Sequence, residues 1–269
     1  MAEYPVLGRR FEAHADEAVA DLTDEVVADV STELLPGKTH RQRLDPSVGF
    51  AIDRILAFDR FVAVGLAVHR VDAGDVLDRQ ISKRDVGIEL GALVLSEDGG
   101  DTWRERPPGS RRDNHSLATH PDREGRVYSA AGDGYAWSDD GGDSWEQVHD
   151  GLEHTYCWSV VPDPGDPDRV LVSSANGARS AHTARTADSY VYRREGDEPW
   201  QRLDGRGLPT GEGVVRAVFA TTGEPGAVYA VTNRGLFRSS DFGDSWSRLD
   251  VDWDDRLETV TPRGLAVVR

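Results

Sequence analysis

Apolar residues along this chain come in short alternating runs, broken at close intervals by Gly, Pro, Asp and Asn. Alternation with period two is the mark of a half-buried β-strand, and the breakers mark its turns. The pattern predicts strands at 50–58 and 61–68, parted by a turn at 59–60, then at 88–95, 168–172 and along 257–268. The polar stretch 72–86 carries no strand pattern, and Pro107-Pro108-Gly109-Ser110 is a plain turn. Residues 10–30 read two ways. Phe11, Ala15, Val19, Leu22 and Val26 have helical spacing, yet 17–22 and 25–30 also read as two short strands.

One phrase closes several of these runs. It reads Ser96-Glu97-Asp98-Gly99-Gly100-Asp101-Thr102-Trp103, Ser138-Asp139-Asp140-Gly141-Gly142-Asp143-Ser144-Trp145 and Ser239-Ser240-Asp241-Phe242-Gly243-Asp244-Ser245-Trp246. Around it, Gly125 to Val148 aligns without a gap on Gly226 to Leu249, with ten of 24 positions identical. Between these copies, 190–200 reads as a decayed version that kept only Trp200. The tryptophans 103, 145, 200 and 246 are thus spaced by 42, 55 and 46 residues.

A repeat of about 45 residues with four short strands is the period of a β-propeller blade. The expected fold is therefore all-β, a single propeller of four-stranded antiparallel blades over 1–269. Blades fall at 49–107, 108–150, 151–205 and 206–250. Exposed sheet edges are a liability, so the ring should close. Pairing of N- and C-terminal strands would make 1–48 plus 251–269 a composite fifth blade, which favours the strand reading of 10–30. Six blades stay open if the N-terminal region holds a further degenerate unit.

Each part of the repeated phrase has a mechanical reason. Ser96, Ser138 and Ser239, with Asp98, Asp140 and Asp241, can tie down backbone donors in a tight turn. Gly100, Gly142 and Gly243 allow positive φ. Trp103, Trp145 and Trp246 bury large apolar area and pin the last strand. A calcium loop would want alternate acidic ligands, a glycine and a bidentate Glu at position twelve, which 139–143 does not follow. Three equivalent copies cannot all serve one active site either. The phrase reads as a structural turn.

On these motifs, over residues 88–250, the chain resembles the Asp-box (BNR) repeat family, which occurs in sialidases, sortilin-type receptors, xyloglucan-degrading enzymes and photosystem II assembly factors. Within it, the chain is most similar to haloarchaeal BNR/WD40-like repeat proteins. The resemblance implies a propeller whose boxes lie between the third and fourth strands, away from the ligand face. It leaves function open. The Arg-Ile-Pro phrase of the sialidases is absent and the chain is a blade short of them, which argues against sialidase activity.

Charge narrows the partners. The formal net charge is -17, with 32 Asp, 16 Glu and only two lysines, Lys38 and Lys83. Carboxylate excess with Arg in place of Lys suits a protein working in high salt, where screening removes self-repulsion. The alternative is an ordinary acidic protein from a GC-rich genome. The balance argues against nucleic acid and against an anionic membrane surface. A single cysteine, Cys157, excludes an internal disulfide and a cysteine metal cage. Without a long apolar stretch or a leader-like start, the expectation is a soluble, cytoplasmic protein.

Candidate chemistry gathers on one face. In a propeller, loops entering the inner strands and loops joining strands two and three share a face around the axis. Here they carry His69-Arg70, Arg111-Arg112-Asp113-Asn114-His115, His154-Thr155-Tyr156, Trp158, Arg179, His182, Arg216 and Asn233-Arg234. Guanidinium offers a bidentate fork to carboxylate or phosphate. Arg70, Arg112, Arg179, Arg216 and Arg234, with His115, Tyr156, Trp158 and His182, form the candidate ligand-binding set. They could equally pair with local Asp and cap the channel, or His115, His154 and His182 could converge on a metal. The loop 174–189 and the insert 72–85 should line the same rim. The expected function is a non-catalytic binding scaffold for an anionic small ligand or a partner protein, with no cofactor and no metal. The alternative is a glycoside hydrolase or lyase on carbohydrate-like substrates. No catalytic carboxylate pair stands out among 48 acids.

Overall fold

A computed structural model of the chain describes residues 25–27, 63–68, 84–88, 92–97, 102–105 and 107–268. Four successive antiparallel sheets run through them, each a meander in chain order. A short terminal pair stands apart: β1 (Glu25–Val27) lies antiparallel to the last strand, β19 (Ala266–Val268). The first sheet is β2 (Ala63–Val68), β3 (Arg84–Ile88), β4 (Ala92–Ser96) and β5 (Arg104–Glu105). The second is β6 (Asn114–His120), β7 (Arg123–Ala131), β8 (Gly134–Ser138) and β9 (Glu146–Gln147). The third is β10 (Tyr156–Asp163), β11 (Asp166–Ala175), β12 (Asp188–Glu195) and β13 (Gln201–Arg202), with β14 (Gly211–Glu212) also on β12. The fourth is β15 (Val218–Ala220), β16 (Val228–Thr232), β17 (Gly235–Ser239) and β18 (Ser247–Arg248).

Burial explains the apolar runs. Each middle strand is covered on both faces, so β16 is buried at every position, whereas the outermost β9, β13 and β18 are exposed. The cores lie in the seams between sheets. Leu93 meets Val127, Ala136 and Trp145 in the first seam. Tyr128, Tyr135, Val160, Val172, Tyr192 and Trp200 fill the second. Leu171, Val191, Phe219, Phe237, Phe242 and Trp246 fill the third. Each of these tryptophans belongs to one sheet and packs into the sheet before it.

The first strands β2, β6, β10 and β15 stand side by side. Their outward backbone groups would be orphans of an open edge. Side chains of the preceding sheet serve them. Ser116 Oγ accepts from Val160 N (3.4 Å), Ser159 Oγ from Phe219 N (3.1 Å) and Ser173 Oγ from Ala217 N (2.8 Å). His115 and His120 reach the carbonyls of Cys157 and Asp163 at 2.7 and 2.9 Å.

The repeated octapeptide forms the turn between third and fourth strands. In the second sheet Ser138 Oγ accepts from Asp140 N and Gly142 N, and Asp140 Oδ1 accepts from Ser144 N at 2.9 Å. Ser239, Asp241, Gly243 and Ser245 repeat this set in the fourth sheet. The other aspartate of the phrase works across a seam. Asp143 pairs with Arg104 of the first sheet, and Asp244 with Arg193 of the third at 2.9 Å. Trp145, Trp200 and Trp246 donate their backbone N–H to the carbonyls of Pro108, Asp150 and Arg206, each 2.8 Å away. The residue after each carbonyl is a positive-φ glycine, and a Cβ on Gly109 would come within 2.0 Å of Trp145 O.

Some sequence expectations shift. The run 88–95 divides between β3 and β4, and β3 takes in Arg84 to Val86 of the polar stretch. Asp85 is buried there against Gly142 of the next sheet, a tertiary contact that composition does not reveal. Residues 174–189 hold a short helix, α1 (Ala178–His182), and a 3-10 turn, Ala184–Thr186, in place of a loop. Of 257–268, only β19 is strand and Leu257–Thr259 is a 3-10 turn. The expected strands 17–22 and 50–58 lie outside the described residues.

Candidate functional site

At one end of the first strands five of the candidate residues meet. His115 comes from β6, Tyr156 and Trp158 from β10, His182 from α1, and Arg216 from the segment leading into β15. Register explains the aim of two of them. The β6–β7 pairing slips between Asn114 and Ser116, and the β10–β11 pairing between Cys157 and Ser159. His115 and Trp158 are the extra residues of these bulges, which turn side chains away from the ladder.

Aromatic contacts bind the group. The His115 ring lies 4.6 Å from Trp158 and 4.8 Å from Tyr156. His182 stands edge-on to Trp158 at 4.4 Å, and its Nε2 is 3.0 Å from the Tyr156 hydroxyl. The Arg216 guanidinium covers the Trp158 ring at 4.1 Å, a cation–π contact. Arg216 is 1% exposed. Its Nη1 donates to Pro262 O, while its Nε has no hydrogen-bond partner. Among the described residues no carboxylate forms an ion pair with it.

The electrostatics follow from that burial. Desolvation, with repulsion from Arg263, pulls the Arg216 guanidinium down to about 9 against the Tyr156 contribution. Desolvation and the charges of Arg216, His115 and Arg263 push His182 down to about 3. His182 is therefore neutral across the physiological range. Thr261 Oγ1 donates to His182 O at 2.7 Å, so residues 261–263 are tied to the cluster. Sequence reasoning missed Arg263, because it falls in a stretch with strand pattern.

The other candidates are placed differently. Arg234 pairs with Glu258 at 3.2 Å and donates to Gly213 O. Arg112 and Arg179 are exposed on the segments before β6 and in α1. Arg70, Asp98 and Gly100 lie outside the described residues. Arg111 is buried and donates to the carbonyls of Asp133 and Tyr135, capping a turn. His154 sits apart from the cluster, stacked on Tyr190 at 4.4 Å and bonded to the Tyr192 hydroxyl. Among the described residues no three His, Cys, Asp or Glu side chains are grouped to hold a metal ion. No described helix is long and apolar enough to cross a membrane.

Successive four-stranded meanders with adjacent first strands and packed seams define a β-propeller protein. Two solved GH74 structures agree in fold. An ancestral GH74 enzyme superposes with TM-score 0.53 and 16% identity, over 72% of this chain and 25% of that one. The GH74 enzyme of Niastella koreensis gives TM-score 0.50 and 18% identity, over 67% of this chain and 30% of that one. YCF48 bound to D1 peptide aligns at TM-score 0.42 and 15% identity, over 70% of this chain and 53% of that one. The chain thus spans between 25% and 30% of the length of these GH74 enzymes. No protein-family model and no curated protein matches it.

Proposed function

We propose that this propeller is a non-catalytic binding scaffold whose axial cluster takes an anionic group, on a small ligand or on a partner protein. One observation carries the reading: Arg216 is a buried cation without a carboxylate partner among the described residues. Leaving a buried charge unpaired is costly, and a bound anion removes that cost. Glycoside hydrolysis needs two carboxylates facing each other across the bond to be cut. The described part of the cluster offers one nearby, Asp113, 3.4 Å from His115 Nε2. The hydrolase alternative rests on likeness of fold to the GH74 enzymes, which is analogy only. Thermal shift with acetate, sulfate and phosphate tests the reading. The melting point of the native chain should rise with at least one anion, and Arg216→Gln should lose that rise. A rise that survives Arg216→Gln defeats it.

The ring reads as five blades, with β1 and β19 in the closing one. The antiparallel register of Val26 on Val267 supports closure through the termini. Directly opposed positions in such a pair lie within disulfide reach. Val26→Cys with Val267→Cys should therefore cross-link on oxidation, visible as a gel mobility shift that reductant reverses. The repeated turns fit the Asp-box family, and the acid excess with little Lys fits work in a salty cytoplasm. Unfolding midpoints that do not rise between low and molar salt would contradict the salt reading.

A further inference from the structure

A second orphan lies beside Arg216, and the two together specify more than a charge. His115 Nδ1 is 2.7 Å from Cys157 O, and a carbonyl can only accept, so Nδ1 carries the proton. With that proton alone, the ring presents Nε2 as a lone pair. His115 is 3% exposed and Nε2 has no hydrogen-bond partner. Its nearest charged neighbour, Asp113 Oδ2 at 3.4 Å, is itself an acceptor and cannot satisfy a lone pair. Arg216 Nε is the reverse case, a buried donor without an acceptor. Both residues lie against one indole, with the Arg216 guanidinium 4.1 Å and the His115 ring 4.6 Å from Trp158.

An anion with acceptors only would answer Arg216 and leave His115 orphaned. We infer that the ligand is a hydroxylated carboxylate, its carboxylate on Arg216 and a hydroxyl donated to His115 Nε2. This rests on the anion-binding reading above. One buried guanidinium asks for one negative charge, and its unpartnered Nε suits a carboxylate oxygen. The hydroxyl then fills the one remaining need. Both orphan atoms are closed off from solvent, so binding requires the packing around them to open.

Calorimetry of the full chain at pH 8 tests this. The probes are lactate against propionate and gluconate against hexanoate, with sulfate and glycerol as controls. Lactate, gluconate or both should bind about ten-fold more tightly than the unhydroxylated counterpart, the ratio expected from one satisfied buried hydrogen bond. His115→Asn keeps a donor where Nδ1 stood and deletes Nε2, so it should bring the ratio to near one. Equal affinities within each pair would overturn the inference while leaving the anion reading intact. No binding by any carboxylate or by sulfate would overturn both. Glycerol binding as tightly as lactate would also overturn it. If His115→Asn does not fold, the ratios in the native chain decide alone.

Discussion

The same side chain is used in opposite ways at two ends of this molecule. At the box end, Arg193 lies under Asp244, Glu195 and the Phe242 carbonyl, all within hydrogen-bonding or ion-pair distance. Arg126 likewise meets Asp139 of its own sheet and Asp168 of the next. At the axial end Arg216 is buried more deeply and has a carbonyl and an indole but no described carboxylate. In a chain of charge -17, acids are not scarce. The paired arginines join sheets, and Arg216 has no described carboxylate through which to do so.

The largest effect should come from the box end. Trp246 is 7% exposed within the third seam, and Trp246→Ala should cost about 3–5 kcal/mol in denaturant unfolding. Less than 1 kcal/mol would mean that the boxes do not hold the seams. Next, Arg193→Met should cost about 2 kcal/mol, as charge-assisted bonds are lost. Arg216→Met should cost nothing or stabilise by up to about 1 kcal/mol, because an apolar replacement removes a desolvation penalty. Equal costs at both sites would erase the distinction drawn between them.

A smaller effect is expected at Phe242, the one non-glycine residue at positive φ among the described residues, at 52°. The second box has Gly141 there, at 68°. Phe242 is fully buried beneath the Arg169 guanidinium, 5.2 Å away. Burial worth about 2–3 kcal/mol outweighs strain of about 1 kcal/mol, so Phe242→Gly should lose about 1–2 kcal/mol net. A gain in stability would show that backbone strain outweighs burial at this position.

The last effect appears only on acidification. His182 titrates at about 3 when folded, against about 6.5 for an unfolded imidazole. Between these values the unfolded chain binds the extra proton, so stability is full above about 6.5 and falls as pH drops toward 3. His182→Gln, which can still meet the Tyr156 hydroxyl, should show a shallower fall over that window. Parallel curves for the two proteins would remove His182 as a source of the slope.

Much of this architecture was legible because boxes repeat at blade spacing, and a turn that needs Ser, Asp, Gly and Trp together tolerates few substitutes. What escaped was tertiary. Asp85 reads as surface until Gly142 of the next sheet covers it. The helix α1 is built from small residues without a strong helical stripe, and Ala181 alone anchors it in the interior. His115, Tyr156, Trp158, His182 and Arg216 could be named from loop position. Their convergence depends on two bulges, and no residue type announces a bulge. Nor could sequence tell Arg216 from Arg234, since the difference is Glu258, 24 residues away.

The serine hydroxyls between neighbouring sheets carry a consequence for how such a chain can lengthen or shorten. Ser116, Ser159 and Ser173 each complete a ladder that belongs to the following sheet. A repeat unit copied in whole therefore arrives with its own hydroxyl but depends on its new upstream neighbour for another. Duplication or loss therefore leaves one backbone N–H unpaired wherever the new neighbour lacks that hydroxyl, so the joints weigh on growth as well as the units.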